Sequence, residues 1–229
     1  MAQIDLFQEE EEEVTATPDR PKGQLLKWIG NKYRYAETIV SHFPAEFRRY
    51  FEPFVGTGAI LATLNPRSAI AGDTLTPLIE LWHLVQSDPE RVSRYYELII
   101  DKYEEDRENV YEGVLSQFNE NPNGLDLLIL SRTCYGGVLR FRKDGKMSTP
   151  IGSHSPISPE KFTKRLWRWH RRVKSTFFLN VDYKRTLKYA REGDLIYCDP
   201  PYVDSQSILY GSQDFSLQEL LKVLDECKE

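Results

Sequence analysis

The chain has 229 residues, 40% of them hydrophobic and 12% aromatic, with a net charge of −5. That length admits one large domain or one domain carrying an insert, and the balance is that of a globular chain in water. No apolar run approaches a membrane span and the N-terminus lacks the apolar core of a secretory signal. The three scattered cysteines (Cys134, Cys198, Cys227) suggest neither a disulfide framework nor a zinc site, so we expect a cytoplasmic protein without membrane partner or metal.

Residues 8–21 (QEEEEEVTATPDRP) read as the end of a disordered acidic tail spanning 1–21, with order beginning near Gln24. KYRYAETIVSHF reads as an amphipathic helix stopped by Pro44. RRYFEPFVG reads as a strand entering a glycine turn, GAILATL as the helix after it, and SAIAGD as a strand ending in Asp73. From Pro77 to about Tyr111 the apolar spacing is helical, and GLDLLILSRTCY is a further helix. RFRKDGKMSTP suits a basic hairpin turning at Asp144-Gly145. PEKFTKRLWRWHRRVKS is a basic helix, FFLNVD and DLIYCD are strands, and FSLQELLKVLDECKE is a last helix capped by Ser216.

Strand, glycine turn, helix, strand and acid form half of a doubly wound α/β fold. The helical, basic stretch from about 80 to 172 interrupts it and reads as an inserted domain. Charge is unevenly spread: residues 131–191 carry 16 Lys/Arg against three acids, a local +13 that suits a polyanion better than the chain total does.

Three stretches carry chemistry. Phe54-Val55-Gly56-Thr57-Gly58 lets backbone approach a ligand at a helix N-terminus, and Asp73 ends the following strand, where a carboxylate can hold ribose hydroxyls. A dinucleotide enzyme fits these two features as well, although the third glycine of G-x-G-x-x-G is missing. Lys27-Trp28-Ile29-Gly30-Asn31-Lys32 puts lysines at a helix start, where they need either an anion or solvent. DLIYCDPPYVD leaves a core strand for an acid, two prolines and an aromatic. The prolines stiffen a corner at the carboxyl end of a strand, where α/β sheets bind ligands.

Together and in this order, KWIGNK, FEPFVGTG, the acid after the second strand and DPPY resemble the Dam-like (D12 class) DNA adenine-N6 methyltransferases, over roughly residues 24 to 229. The resemblance implies an S-adenosyl-L-methionine-binding sheet (22–79 and 173–229) around an inserted, mainly helical target-recognition domain (80–172). It implies contacts to that cofactor from Trp28, Lys32, Phe54, Gly56, Gly58, Asp73, Asp182 and Asp199. Asp199, Pro200 and Tyr202 match the catalytic tetrapeptide: two acceptors grip the adenine amino group, and the tyrosine stacks on a base flipped out of double-stranded DNA. Tyr135, Gly137, Arg140, Gly145, Pro150 and Gly152 keep the pattern of the family's recognition hairpin, in which Tyr135 would wedge into the space left by the flipped base and Lys143 and Lys146 are candidates for phosphates. Arg140 is the candidate guanine contact, and Arg165, Arg168, Arg171 and Arg172 are candidates for phosphates.

Departures exist. Gly136 stands where the family commonly has Asn and His154 where it has Tyr, which argues against a GATC target; Asn31 and Leu75 replace a Gly and an Asn near the cofactor. The resemblance also implies about three strands after DPPY, so four strands are expected here. A complementing C-terminal polypeptide would cover the open edge of the DLIYCD strand. The alternatives are a truncated, inactive DNA- or clamp-binding relative, one half of a split methyltransferase, or an oxidoreductase that leaves DPPY unexplained. Gln3-Ile4-Asp5-Leu6-Phe7 resembles the pentapeptide that docks proteins on the bacterial sliding clamp.

Overall fold

The structure, a computed structural model, describes residues 19–201 and 215–227. Four strands form one parallel sheet in the order β3-β2-β1-β4: β1 Tyr50–Glu52, β2 Ala69–Asp73, β3 Thr176–Asn180 and β4 Leu195–Ile196. Registers run Tyr50 opposite Ala69 and Leu195, and Ala69 opposite Thr176. β1 is central and buried along its whole length, as a strand covered on both faces must be. The chain steps outward from β1 to β2 to β3, then returns to the other side of β1 for β4. That reversal creates a switch point between β1 and β4, where a crevice opens beyond the strands' carboxyl ends.

The helices follow from local signals. Helix α1 (Ala36–Val40) is shorter than expected because its first residues, Tyr33–Tyr35, wind as a tighter turn. Helix α2 (Ala59–Leu64) joins β1 to β2. The single helical pattern from Pro77 to Tyr111 is in fact three helices, α3 (Thr76–Ser87), α4 (Pro89–Glu105) and α5 (Arg107–Glu120). Asp88 and Asp106 cap α4 and α5 by accepting the Arg91 and Asn109 amides, and Pro89 cannot continue α3. Helices α6 (Gly124–Thr133), α7 (Pro159–Val173), α8 (Tyr183–Leu187) and α9 (Leu217–Glu226) complete the set among the described residues. Ser216 caps α9 through the Glu219 amide, as its position predicts.

One face of the sheet meets α3 and α7. Trp82 of α3 stacks flat on Phe178 of β3 at 5.4 Å and on Trp169 of α7 at 5.9 Å. The apolar cluster on this face runs without interruption into α4, α5 and α6. Positions 79/80 and 172/173 therefore fall inside α3 and α7, within a continuous helical layer. The opposite face is covered by α8 and α9 through Tyr183, Leu187 and Leu220. The basic hairpin forms: Phe141 bridges Met147, and Gly145 turns with φ +79° while its amide donates to the Arg142 carbonyl. Asn119 and Tyr111 of α5 hold it by its backbone.

At the amino edge, Arg20 and Pro21 are already tied to the fold, Arg20 donating to the Tyr33 carbonyl and Tyr33 to that of Pro21. Gln3–Phe7 and Tyr202 lie outside the described residues. No helix among the described residues is long and apolar enough to cross a membrane.

Candidate active site

Each strand delivers an acid to the carboxyl edge of the sheet. β1 ends on Glu52 and β2 on Asp73; Asp182 follows β3 by two residues and Asp199 follows β4 by three. All four line one cavity of about 490 Å³, together with Trp28, Lys32, Phe54 and Gly56. Seven of the eight residues expected around the cofactor thus meet there. The eighth, Gly58, sits behind the wall as the left-handed cap of α2.

The glycine turn is built by its own constraints. Gly56 and Gly58 have φ +46° and +60°, and the Trp82 indole N–H donates to the Gly56 carbonyl at 3.1 Å. A Cβ on Gly58 would stand 3.0 Å from the Trp82 ring. Gly58→Ala is expected to cost about 2 kcal/mol from left-handed strain and that contact. A lower midpoint in urea checks it; an unchanged midpoint would contradict the turn as described. Asp73 closes the turn, accepting the Gly56 and Leu75 amides at 3.2 and 3.0 Å. Burial nevertheless raises its carboxyl above the usual range, against the pull of those donors.

Lys32 and Asp199 form an ion pair at 2.5 Å, joining the lysine turn to the DPPY corner. Lys32 also donates to the Gly30 carbonyl. A carboxylate has about four acceptor positions, so Asp199 keeps capacity for an amino group beside its lysine. Pro201 lines the cavity and Pro200 is half-buried next to it. Asn31 organises the lysine turn: its side chain donates to the Trp28 carbonyl and accepts from Gln24 and the Tyr33 amide. Asp182 lines the cavity but also caps α8 through the Arg185 amide.

Sequence reasoning missed Glu52, Tyr197, Tyr183 and Phe215, all of which line the cavity. Phe54 stacks on Tyr183 at 5.4 Å, with Phe215 edge-on to Phe54 at 5.8 Å. The strand-terminal position of Glu52, before Pro53, was the available signal. Glu52 is 3% exposed, and its carboxylate accepts from the Tyr50 hydroxyl and the Leu61 amide. Burial pushes it up to about 8. An acid raised on folding favours the folded state fully only below its unfolded value, and that benefit is lost as pH climbs to 8. Glu52→Gln, which does not titrate, should therefore gain stability relative to the parent between pH 5 and 8 and level off above. Urea midpoints at pH 5, 7 and 8.5 read this; parallel curves would contradict it. Cys198, pushed up to about 12 by burial, is not a thiolate nucleophile at neutral pH.

The candidate DNA contacts gather elsewhere. Tyr135 is 61% exposed on a turn made by Gly136 and Gly137 at φ +64° and +66°. Arg140, Lys143 and Lys146 are exposed on the hairpin. Arg165 and Arg172 of the basic helix behave differently from expectation. Arg165 donates to the Gln24 carbonyl and Arg172 pairs with Asp19, so both tie down the N-terminal segment.

A glycine turn and a rim of acids at the switch point of a parallel sheet form the kind of crevice in which α/β proteins bind ligands. The family is more specific. The model for D12 class N6 adenine-specific DNA methyltransferases matches residues 28–228, and the chain belongs to that family: it is a DNA adenine methyltransferase. It is similar to the DNA adenine methylase of Vibrio cholerae, at 28% identity over 214 residues, covering 88% of this chain and 74% of the relative. The DNA adenine methylase of Haemophilus influenzae is 27% identical, with 89% and 73% covered. A type II methyltransferase of Lactococcus lactis, M1.LlaDCHI, is 24% identical, with 90% and 76% covered.

Proposed function

We propose that the acid-rimmed cavity binds S-adenosyl-L-methionine beside the amino group of an adenine extruded from double-stranded DNA. The convergence of four strand-end acids with the Lys32–Asp199 pair in one cavity carries this reading. When bound, the donor supplies an electrophilic methyl on a cationic sulfur. Carboxylates around the cavity favour a cation. The bare backbone at Gly56 leaves room for the donor's amino-acid part beside Trp28 and Lys32. Asp73 would take ribose hydroxyls, and Phe54, Tyr183 and Asp182 would hold the donor's adenine.

In this reading Asp199 and the Pro200 carbonyl accept the two N–H groups of the target adenine. The nitrogen lone pair is then less delocalised into the ring and is aimed at the methyl. Two prolines fix the carbonyl's direction, so the acceptors need little reorganisation. Tyr202 would stack on the target ring. Residues 80–172 would read the duplex, with Arg140 on a base edge, Lys143 and Lys146 on phosphates, and Tyr135 filling the gap left by the base.

Calorimetric titration with S-adenosyl-L-methionine tests the pocket. Asp73→Ala should weaken binding at least tenfold, an estimate from the loss of two hydrogen bonds of about 1 kcal/mol each. Lys143→Ala should leave it unchanged. Equal binding by the Asp73 variant would refute the assignment.

A further inference from the structure

A second cavity of about 490 Å³ lies on the far side of Trp28 and Asn31, which line both it and the acid-rimmed one. The two differ in charge, the first carrying Asp73, Asp182 and the Lys32–Asp199 pair. Lys27, Arg132 and His154 line the second, and none of its lining residues is an Asp or Glu. Arg132 is 3% exposed. Its Nη1 donates to the Gln24 and Leu25 carbonyls, while its Nε is buried without an acceptor. Arg165 shares the Gln24 carbonyl, and among the described residues neither guanidinium has a carboxylate within ion-pair distance. Lys27 makes no hydrogen bond or ion pair among the described residues. A buried cation without a counter-charge is costly, so this cluster calls for an anion.

We propose that the second cavity seats a phosphate of the DNA strand next to the nucleotide whose adenine enters the first, an inference that rests on the proposed function. Asp73, Asp182 and Asp199 disfavour a phosphate in the first cavity, so a nucleotide entering it must leave its backbone outside. The cavity that shares its wall offers Lys27 and Arg132 for the phosphate. The exposed backbone at Gly136 lets a sugar come close, and the exposed Tyr135 ring stands beside it. Phosphates gripped next to an extruded base position the strand without reading its sequence.

The test uses the full chain with S-adenosylhomocysteine and unmethylated genomic DNA fragments, measuring DNA affinity from 50 to 200 mM salt. Losing one phosphate contact reduces the slope of log affinity against log salt by about 0.9. Lys27→Gln should show that reduction, its deficit against wild type narrowing about threefold across this range. Its affinity for S-adenosylhomocysteine should not change. Lys164→Gln, which removes an exposed lysine paired with Glu160 on α7, should keep the wild-type slope. A wild-type slope for Lys27→Gln, or the same reduction for Lys164→Gln, overturns the proposal. Inorganic phosphate that binds equally well to free and DNA-saturated protein would assign the cavity to a free anion and overturn it too. Methyl incorporation by wild type on the same fragments reports the proposed function separately. If it is absent while the Lys27 effect persists, the catalytic reading falls and the phosphate site stands.

Discussion

Asp199→Asn should lower the single-turnover rate of methyl transfer by about 10²–10³-fold, while affinity for S-adenosyl-L-methionine stays within a few-fold. Asp199 follows the last residue of β4 by three positions and reaches the cavity from a corner stiffened by Pro200 and Pro201. Its partner Lys32 comes from the lysine turn at the other side of the cavity, at 2.5 Å. Asparagine preserves size but offers one acceptor oxygen and a competing amino group. Lys32 would then face a neutral group, and the adenine amino group would lose its charged acceptor as the nitrogen gains positive charge in attacking the methyl. In the proposed site donor affinity would rest on Asp73, the glycine turn, Trp28, Lys32 and the Phe54–Tyr183 stack, of which the change touches only the partner of Lys32. A rate loss accompanied by an equal loss of donor affinity would show Asp199 to be a binding group only.

Asp194→Ala should destabilise the fold by about 3–5 kcal/mol, the largest single effect expected outside the cavity. Asp194 immediately precedes β4, and its side chain is fully buried against Arg49, which immediately precedes β1. Two contacts join them, at 3.2 and 2.8 Å, and Arg49 also donates to the Tyr189 carbonyl. The pair clamps the amino ends of the two strands whose carboxyl ends flank the switch point. Alanine removes the carboxylate that meets a buried guanidinium at two points. The double change Arg49→Met with Asp194→Leu removes both charges and should recover most of the loss, because an apolar pair avoids desolvation. Urea unfolding of the two variants decides this. A single variant as stable as the parent, or a double variant no better than the single one, would contradict it.

Much of the architecture was legible because it is encoded over short distances. The Gly56 and Gly58 turn, the Asp144-Gly145 hairpin and the Ser216 cap each depend on a few adjacent residues, and each forms as the local pattern predicts. The four strands of the described sheet were countable for the same reason. The breaks at Asp88 and Asp106 were missed because the apolar phase resumes after each one, so periodicity alone shows a single helix. Arg49 and Asp194 are 145 positions apart, and no local pattern pairs them. Arg165 looked like a DNA-facing arginine because helix position gives charge and exposure but not its partner, the Gln24 carbonyl. Glu52 hid in a strand whose neighbours are apolar; only the parallel register shows that it shares a rim with Asp73 and Asp199.

The most direct test gives the purified chain S-adenosyl-L-methionine carrying a labelled methyl, and unmethylated double-stranded DNA, followed by digestion to nucleosides. The account predicts label in N6-methyladenine, abolished by Asp199→Ala and retained by Lys164→Gln. Label in cytosine, or in adenine undiminished by the Asp199 change, would contradict the assignment of the DPPY corner as the place of methyl transfer.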